Sequence, residues 1–308
     1  MANRHVHSDA GSPRRDPASH RDRRGDRSTR TLARGALAVA LAAGTAGATL
    51  LAAELHEETV AAWDRYIAAT EQRVAAELDD GERFLVLDFH EDGARFRREV
   101  LAGRAVVERL HTLDERGERF DVPKGTIQHW MGAILVPNAA LNDVLDGLQY
   151  DVPPHELQEE TVLESRVLSR DGDKLDLYTR VLLDAPMTSA QFNMEQQVEY
   201  VRLGDGRAWS RVEATRIAEL EDPGSANERE KPLGNDSGFL WRLKLWWRYV
   251  QVDGGVLIEC EQVTLSRGIP RLARWFLGPI INGAPRSAME DTLQALVRQF
   301  GSPAPAGS

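Results

Sequence analysis

The chain has 308 residues, of which 42% are hydrophobic and 28% charged, a balance typical of globular proteins with a sizeable core. Its formal net charge is −10, and because residues 1–34 hold nine arginines against four aspartates, the remainder carries −15. So acidic a body, without a basic stripe, argues against a nucleic-acid partner, and the single cysteine, Cys260, excludes an internal disulfide.

The first 53 residues have the pattern of a leader. Residues 1–34 lack apolar periodicity and are expected to form a disordered basic tail. Residues 35–53 follow as an uncharged, alanine-rich run, the layout of a signal peptide or an N-terminal membrane anchor. A soluble alanine-rich helix is the alternative. We therefore expect the body to be exported to the periplasm or beyond the cell, or to be anchored to a membrane by its N-terminus.

The body begins with a helical pattern and continues with short strands. Residues 54–80 carry apolar side chains at helical spacing and predict an amphipathic helix. Residues 138–149 predict a short helix with Asn138 as its N-cap. Four apolar segments are predicted as strands: FLVLDF (84–89), RFRREVL (95–101), AVVERLHTL (105–113) and TIQHWMGAILVP (126–137).

Three later runs alternate between apolar and polar residues. They cover residues 174–183, 192–200 and 209–220, and turn signals such as Asp171-Gly172 separate them. This pattern predicts an antiparallel meander with one apolar and one solvated face. A polar loop at 222–238 interrupts the meander before the next strand.

The next stretch, GFLWRLKLWWRYVQVDGGVLIECE at 238–261, concentrates aromatic residues on a predicted strand. Its alternation places six large side chains on one face: Phe239, Trp241, Leu243, Leu245, Trp247 and Tyr249. The other face receives Arg242, Lys244, Trp246 and Arg248. A two-residue turn after this strand puts Arg248 opposite Glu259 or Glu261, as a charge pair on the outer face.

The C-terminal region is predicted to be helical. Residues 285–300 form an amphipathic pattern, and residues 302–308 are expected to be a disordered tail. The apolar run at 275–281 is either buried at the mouth of a cavity or acts as a lid that contacts a membrane.

The order of these elements points to a known family. A strand-to-helix step, a six-strand antiparallel meander and a long C-terminal helix span residues 82–301. With the stretches SRVEATRIAELEDPG and GFLWRLKLWWRYVQVDGGVLIECEQVTLSRGIP, this order resembles the START-like (SRPBCC) superfamily, in particular uncharacterised bacterial START-like proteins. The resemblance implies an α+β helix-grip fold, in which a curved antiparallel sheet wraps around the C-terminal helix and encloses a cavity. The helix at 54–80 is an extra N-terminal element.

The implied fold suggests which residues meet a ligand. The six side chains from Phe239 to Tyr249 face the cavity, either as plain core or as ligand lining. Arg216, flanked by Ala214 and Ala218, is a candidate to hold a carboxylate or phosphate group, and a solvated or glutamate-paired arginine is the alternative. His129 is a further candidate ligand contact, with a structural role as its alternative.

The sequence has no metal-ligand spacing, P-loop, dinucleotide fingerprint or nucleophile elbow, so we expect no metal, no cofactor and no catalytic residues. We predict a protein that binds a hydrophobic or amphipathic, lipid-like small molecule, more in keeping with a carrier than with an enzyme. One alternative is a cyclase- or hydrolase-type enzyme in which His129, Arg216 and an acid converge. Another is a non-binding interaction protein with an apolar outer patch around Trp246.

Overall fold

The computed structural model describes residues 54–185, 188–268 and 274–302, without the side chains of 184–188 and 269–285. The expected leader at 1–53 and the last six residues of the expected tail lie outside the described residues, as do the side chains of the predicted lid at 275–281. None of the helices that the structure describes is both long enough and apolar enough to cross a membrane.

Within the residues that the structure describes, six α-helices pack around one sheet. Their bounds are α1 Glu57–Leu78, α2 Val86–Phe89, α3 Gly93–Leu101, α4 Leu141–Asp146, α5 Pro154–Leu157 and α6 Arg274–Phe300. A π-helical turn, Gly147–Asp151, continues α4. Helix α1 confirms the amphipathic helix predicted at the start of the body, since it buries Trp63, Tyr66, Ile67 and Val74 on one side.

The sheet has nine strands in the described part of the chain, and all of their pairings are antiparallel. The first five are β1 Val106–Arg109, β2 Gly125–Pro137, β3 Val162–Asp171, β4 Lys174–Ala185 and β5 Thr188–Gly204. The others are β6 Arg207–Glu221, β7 Arg229–Glu230, β8 Arg242–Val252 and β9 Gly255–Arg267. The strand order is β1-β2-β9-β8-β6-β5-β4-β3, and β7 pairs with β6.

The two faces of the strands β2, β9 and β8 are both covered. On one face α6 packs against β1 and β2, within a core that also includes α4. On the other face α1, α2 and α3 pack over the same strands in two adjoining clusters. We call these the α6 face and the α1 face. A sheet that grips a C-terminal helix, with an added N-terminal helical layer, confirms the predicted α+β helix-grip fold.

Two of the predicted strands are helices. The segment 95–101 lies in α3, where Phe96 and Val100, one turn apart, are buried against the sheet. The segment 84–89 contains α2, whose first two amides, Val86 and Leu87, donate to the buried carboxylate of Glu259 at 2.6 and 3.0 Å. That contact crosses 173 residues of sequence, so a local pattern does not reveal it.

Smaller differences between the predicted and the observed elements have local causes. The predicted strand 105–113 is shortened to β1, and the helix predicted from Asn138 begins at Leu141 instead. Asn138 has a positive φ of 54°, a turn conformation that asparagine tolerates, and its side chain donates to the Ser302 carbonyl at 2.9 Å. Strand β3 carries no apolar alternation, contains two register shifts and has no counterpart among the predicted elements.

Candidate functional site

The α6 face is closed at one end by direct contact between sheet and helix. Gly132 on β2 lies beneath α6, and a Cβ at that position would stand 2.6 Å from Met289 Cγ and 2.9 Å from Leu293 Cδ1. Only glycine lets the helix approach this closely. Met289, Leu293 and Leu296 then pack in one cluster with the inward residues of β2, β9 and β8.

Strand β8 supplies part of the predicted aromatic wall. Leu245, Trp247 and Tyr249 contact the cluster around α6, and the register with Thr264 puts Leu243 on the same face. Tyr249 is buried, with its hydroxyl 3.2 Å from Ser210 Oγ, whereas Leu243, Leu245 and Trp247 are half-buried. The Trp247 and Tyr249 rings stack, with centroids 6.5 Å apart. Four of the six predicted wall residues therefore share the α6 face.

The other two wall residues are placed elsewhere. The expectation that Trp241 lies on the α6 face is wrong, because β8 begins at Arg242 and the alternation does not extend upstream. Trp241 is 1% exposed in the α1-face cluster, and its indole N–H donates to Asp236 Oδ1 at 3.0 Å. Phe239 also precedes the strand, and its ring lies 5.5 Å from the Arg267 guanidinium.

A group of neutral polar side chains lies beside this wall on the α6 face. Gln128 and Trp130 of β2 pair in register with Thr264 and Gln262 of β9. Trp130 is 7% exposed. In the described part of the chain, neither its Nε1 nor Gln128 Oε1 has surface exposure or a hydrogen-bond partner. Sequence alternation alone indicates this group, since the four residues occupy inward positions of two strands.

The α1 face carries buried charge instead. Arg248 donates to Glu77 Oε2 at 2.6 Å and to the Phe84 carbonyl at 2.9 Å, and lies 3.8 Å from Glu261 Oε2. Arg73 of α1 bonds to both Glu77 and Glu261. The predicted register of Arg248 opposite Glu259 is confirmed, but the pair is not on an outer, solvated surface because α1 and α2 cover it.

His129 belongs to this buried network. The Tyr66 hydroxyl accepts the Thr112 N–H at 2.9 Å, and it shares a hydrogen bond with His129 Nδ1 at 2.7 Å. His129 Nε2 then donates to Glu261 at 2.7 Å. The ring is 2% exposed and faces away from α6, so the expectation that His129 lines the ligand side is wrong, and its structural alternative agrees with the geometry.

Burial and charge move the two network glutamates in opposite directions. Burial raises the pKa of Glu259 to about 7, although Arg248 and the two α2 amides oppose it. Burial also acts on Glu261, but the His129 hydrogen bond and the charges of Arg73 and Arg248 outweigh it and lower its pKa to about 2. Burial raises the pKa of the Cys260 thiol well above its usual value, as expected of a core residue.

Arg216 lies on the opposite side of the sheet from the wall. A β-bulge at Thr215 breaks the register, so that Ala214 pairs with Gln196 but Arg216 pairs with Glu195. In a regular strand without this bulge, Arg216 would share the face of Ala214, as the sequence suggested. It is instead paired with Glu230 and lies 3.8 Å from Glu195, which is the glutamate-paired alternative.

The two alternative functions, an enzyme and a non-binding interaction protein, require particular positions for His129, Arg216 and Trp246. His129 does meet an acid, Glu261, but Arg216 lies on another part of the sheet and does not join them. Trp246 is 4% exposed and packs beneath α1 with Trp63 and Val263, so the expected apolar outer patch around Trp246 is wrong.

Comparison with solved structures gives matches of low similarity that share this type of fold. A STAR-related lipid transfer protein from Xanthomonas axonopodis is 21% identical and covers 56% of this chain and 96% of its own, with a TM-score of 0.35. Human StAR-related lipid transfer protein 5 is 14% identical and covers 78% and 98%, with a TM-score of 0.36. The Zhui aromatase/cyclase from Streptomyces sp. R1128 is 10% identical and covers 56% and 93%, also at 0.36.

No family model and no curated protein matches the sequence. Because the TM-scores are below 0.5, the helix-grip assignment rests on the strand order and on the packing of α6 described above.

Proposed function

We propose that the protein binds an apolar or amphipathic small molecule on the α6 face, between the sheet and the C-terminal helix. The observation that carries the proposal is the chemistry of that face. Its inward positions on β2, β9 and β8 hold no Asp, Glu, Lys or Arg. They hold instead the half-buried wall residues Leu243, Leu245 and Trp247.

Burial of apolar ligand surface supplies the affinity, at roughly 25 cal/mol per Å². Half-buried aromatic and aliphatic side chains on an inward face are the lining that ligand sites typically use. Catalysis at this face, the second candidate function, has no support in the placement of His129 and Arg216.

Native mass spectrometry of the full chain, purified without detergent, tests the proposal. Organic extraction and lipid analysis identify whatever co-purifies. We expect a stoichiometric apolar molecule in the wild type and its loss in Leu245→Asp. The matched control is Leu203→Asp, because Leu203 is 44% exposed and the same chemical change there leaves the α6 face intact.

The folding of each variant is checked by thermal unfolding. If Leu245→Asp does not fold, Trp247→Ala replaces it. An apo mass for the wild type that persists after incubation with a lipid extract would contradict the proposal.

A further inference from the structure

The four polar residues on the α6 face, Gln128, Trp130, Gln262 and Thr264, form what we call the polar patch. Gln128 Oε1 and Trp130 Nε1 are inaccessible to solvent and have no hydrogen-bond partner among the residues that the structure describes. Gln262 and Thr264 are half-buried, and their side chains make no hydrogen bond within the part of the chain that the structure describes. An acceptor, a donor and two further polar groups therefore point to one region without partners.

Such a cluster is unusual in a folded protein. Roughly nine in ten buried polar atoms have a hydrogen-bond partner. Each buried polar atom without one, here called an orphan, destabilises the fold by about 1–3 kcal/mol of desolvation free energy. The same sheet satisfies most of its polar atoms on the α1 face, where His129, directly between Gln128 and Trp130 in sequence, has a partner on each ring nitrogen. In the described part of the chain, two buried atoms on the α1 face, Arg248 Nε and Glu261 Oε2, also lack a hydrogen bond, but their residues form an ion pair at 3.8 Å. The neutral unpaired atoms are those on the α6 face.

The neighbours of the polar patch are apolar. On the adjacent strand β8, Leu245 pairs with Gln262 and Leu243 pairs with Thr264. Trp247 continues this row toward the core around α6. The face is therefore polar at the β2 and β9 side and apolar at the β8 side, and a bound molecule that matches it is amphipathic.

From these contacts we infer that the ligand carries an uncharged hydroxyl or amide group, which accepts from Trp130 Nε1 and donates to Gln128 Oε1. This rests on the proposed function and adds the class of headgroup to it. A hydroxyl both donates and accepts, so one group satisfies both orphaned atoms. A carboxylate accepts only and leaves the Gln128 carbonyl oxygen without a donor.

Arg109 is the charged residue that borders the polar patch. It pairs with Trp130 in register, and its guanidinium lies 5.8 Å from the centre of the Trp130 ring. An anionic headgroup is the competing choice, and the test is designed to separate it from a neutral one.

The test compares two probes with the same acyl chain, 1-lauroylglycerol and laurate, titrated into the delipidated full-length protein at pH 8 by calorimetry. We expect the neutral probe to bind about tenfold more tightly than laurate. In Gln128→Leu the affinity for 1-lauroylglycerol falls by about fivefold to tenfold, the value of one hydrogen bond, while laurate binding changes little. Trp130→Phe removes the indole N–H donor and should likewise lower the affinity for 1-lauroylglycerol.

A thermal readout separates a binding role from a structural one. Because Gln128→Leu removes an orphaned buried acceptor, the ligand-free variant is expected to melt at the same temperature as the wild type or above it. The matched control is Gln197→Leu, since Gln197 is exposed on β5 and its replacement should change neither melting nor binding. If Trp130→Phe fails to fold, Gln128→Leu alone decides the outcome.

Three outcomes would overturn the inference in distinguishable ways. Equal binding of both probes that Gln128→Leu leaves unchanged, with lower ligand-free stability, would show that the patch is structural while the proposed function stands. Tighter binding of laurate would point to Arg109 and an anionic ligand. Failure of both probes to bind would overturn the proposed function itself.

Discussion

The two faces of the strands β2, β9 and β8 differ in the side chains that they bury: the α1 face buries charged groups, and the α6 face buries neutral ones. The α1 face buries Arg248, Glu259 and Glu261, and α1 and α2 supply most of their partners. Of the atoms that the structure describes there, Arg248 Nε and Glu261 Oε2 lack a hydrogen bond, but the two residues form an ion pair at 3.8 Å. The α6 face has no charge on these strands, yet a donor and an acceptor on it have no partner among the described residues.

Because of this difference, we expect the α1 face to contribute mainly to stability and the α6 face mainly to ligand binding. Buried charges tolerate one arrangement of partners, so the α1 face fixes how the N-terminal helices dock. An unpaired buried polar atom is costly, so the neutral atoms on the α6 face gain free energy when a ligand supplies a partner, which suits a face that meets a ligand. We therefore expect substitutions on the α1 face to alter unfolding and substitutions on the α6 face to alter binding.

The largest effect is expected from Glu261→Gln. The change removes one of the two buried carboxylates, Glu261 and Glu77, that pair with Arg73 and Arg248. Removal of one partner from a buried ion pair typically costs about 3–5 kcal/mol. Urea unfolding measures the loss. The control is Glu230→Gln, which removes a more exposed partner of Arg216 and should cost less than about 1 kcal/mol. Equal losses in the two variants would mean that the α1 face is not the stabilising one.

The pH dependence of stability should reveal Glu259. Its pKa of about 7 in the folded protein exceeds the ordinary value of 4.5, so the folded state holds the proton more tightly. Glu259 therefore makes the free energy of unfolding fall as the pH rises from about 4.5 to about 7, by roughly 3 kcal/mol. Glu261, with its lowered pKa, has the opposite sign and loses its contribution as the pH falls from 4.5 toward 2.

Urea unfolding of the wild type and Glu259→Gln, measured from pH 4.5 to 8, isolates this effect. The wild type should lose stability relative to the variant as the pH rises from 4.5 to about 7 and stay level from there to pH 8. Curves that remain parallel throughout would show that Glu259 does not take up a proton on folding.

Much of the fold follows from local pattern, and the exceptions are informative. The alternation in β4, β5, β6 and β8 and the two-residue turn before Gly255 were sufficient to predict the meander and the register of Arg248. Helix α2 was not predictable in this way, because the carboxylate that holds its amides comes from Glu259, far along the chain.

The candidate site was predictable in part for similar reasons. The inward direction of Leu245, Trp247 and Tyr249 follows from period two. The position of Arg216 does not, since one extra residue at Thr215 reverses every side chain beyond it. Nor does the alternation show that a helix covers the charged side of β8, and so His129 and Trp246 were assigned to the wrong surroundings.

A smaller effect is expected from Gly132→Ala, which acts where the sheet touches α6. The new methyl group meets Met289 and Leu293, and overpacking of this kind costs about 1–2 kcal/mol when a flexible methionine can shift. Gly81→Ala is the control, because nothing lies within 4 Å of a Cβ there. Equal unfolding free energies for the two variants would show that α6 does not pack closely on β2.

The smallest effect is expected from Arg216→Ala, and it sharpens the comparison because the sequence placed this residue on the ligand side. Its side chain is 45% exposed and paired with Glu230, so its loss should change the free energy of unfolding by less than about 1 kcal/mol. Affinity for 1-lauroylglycerol and for laurate should stay within twofold of the wild type, whereas Trp247→Ala weakens both. A selective loss of laurate binding in Arg216→Ala would show that this arginine contacts the ligand. It would contradict the assignment of ligand binding to the α6 face alone.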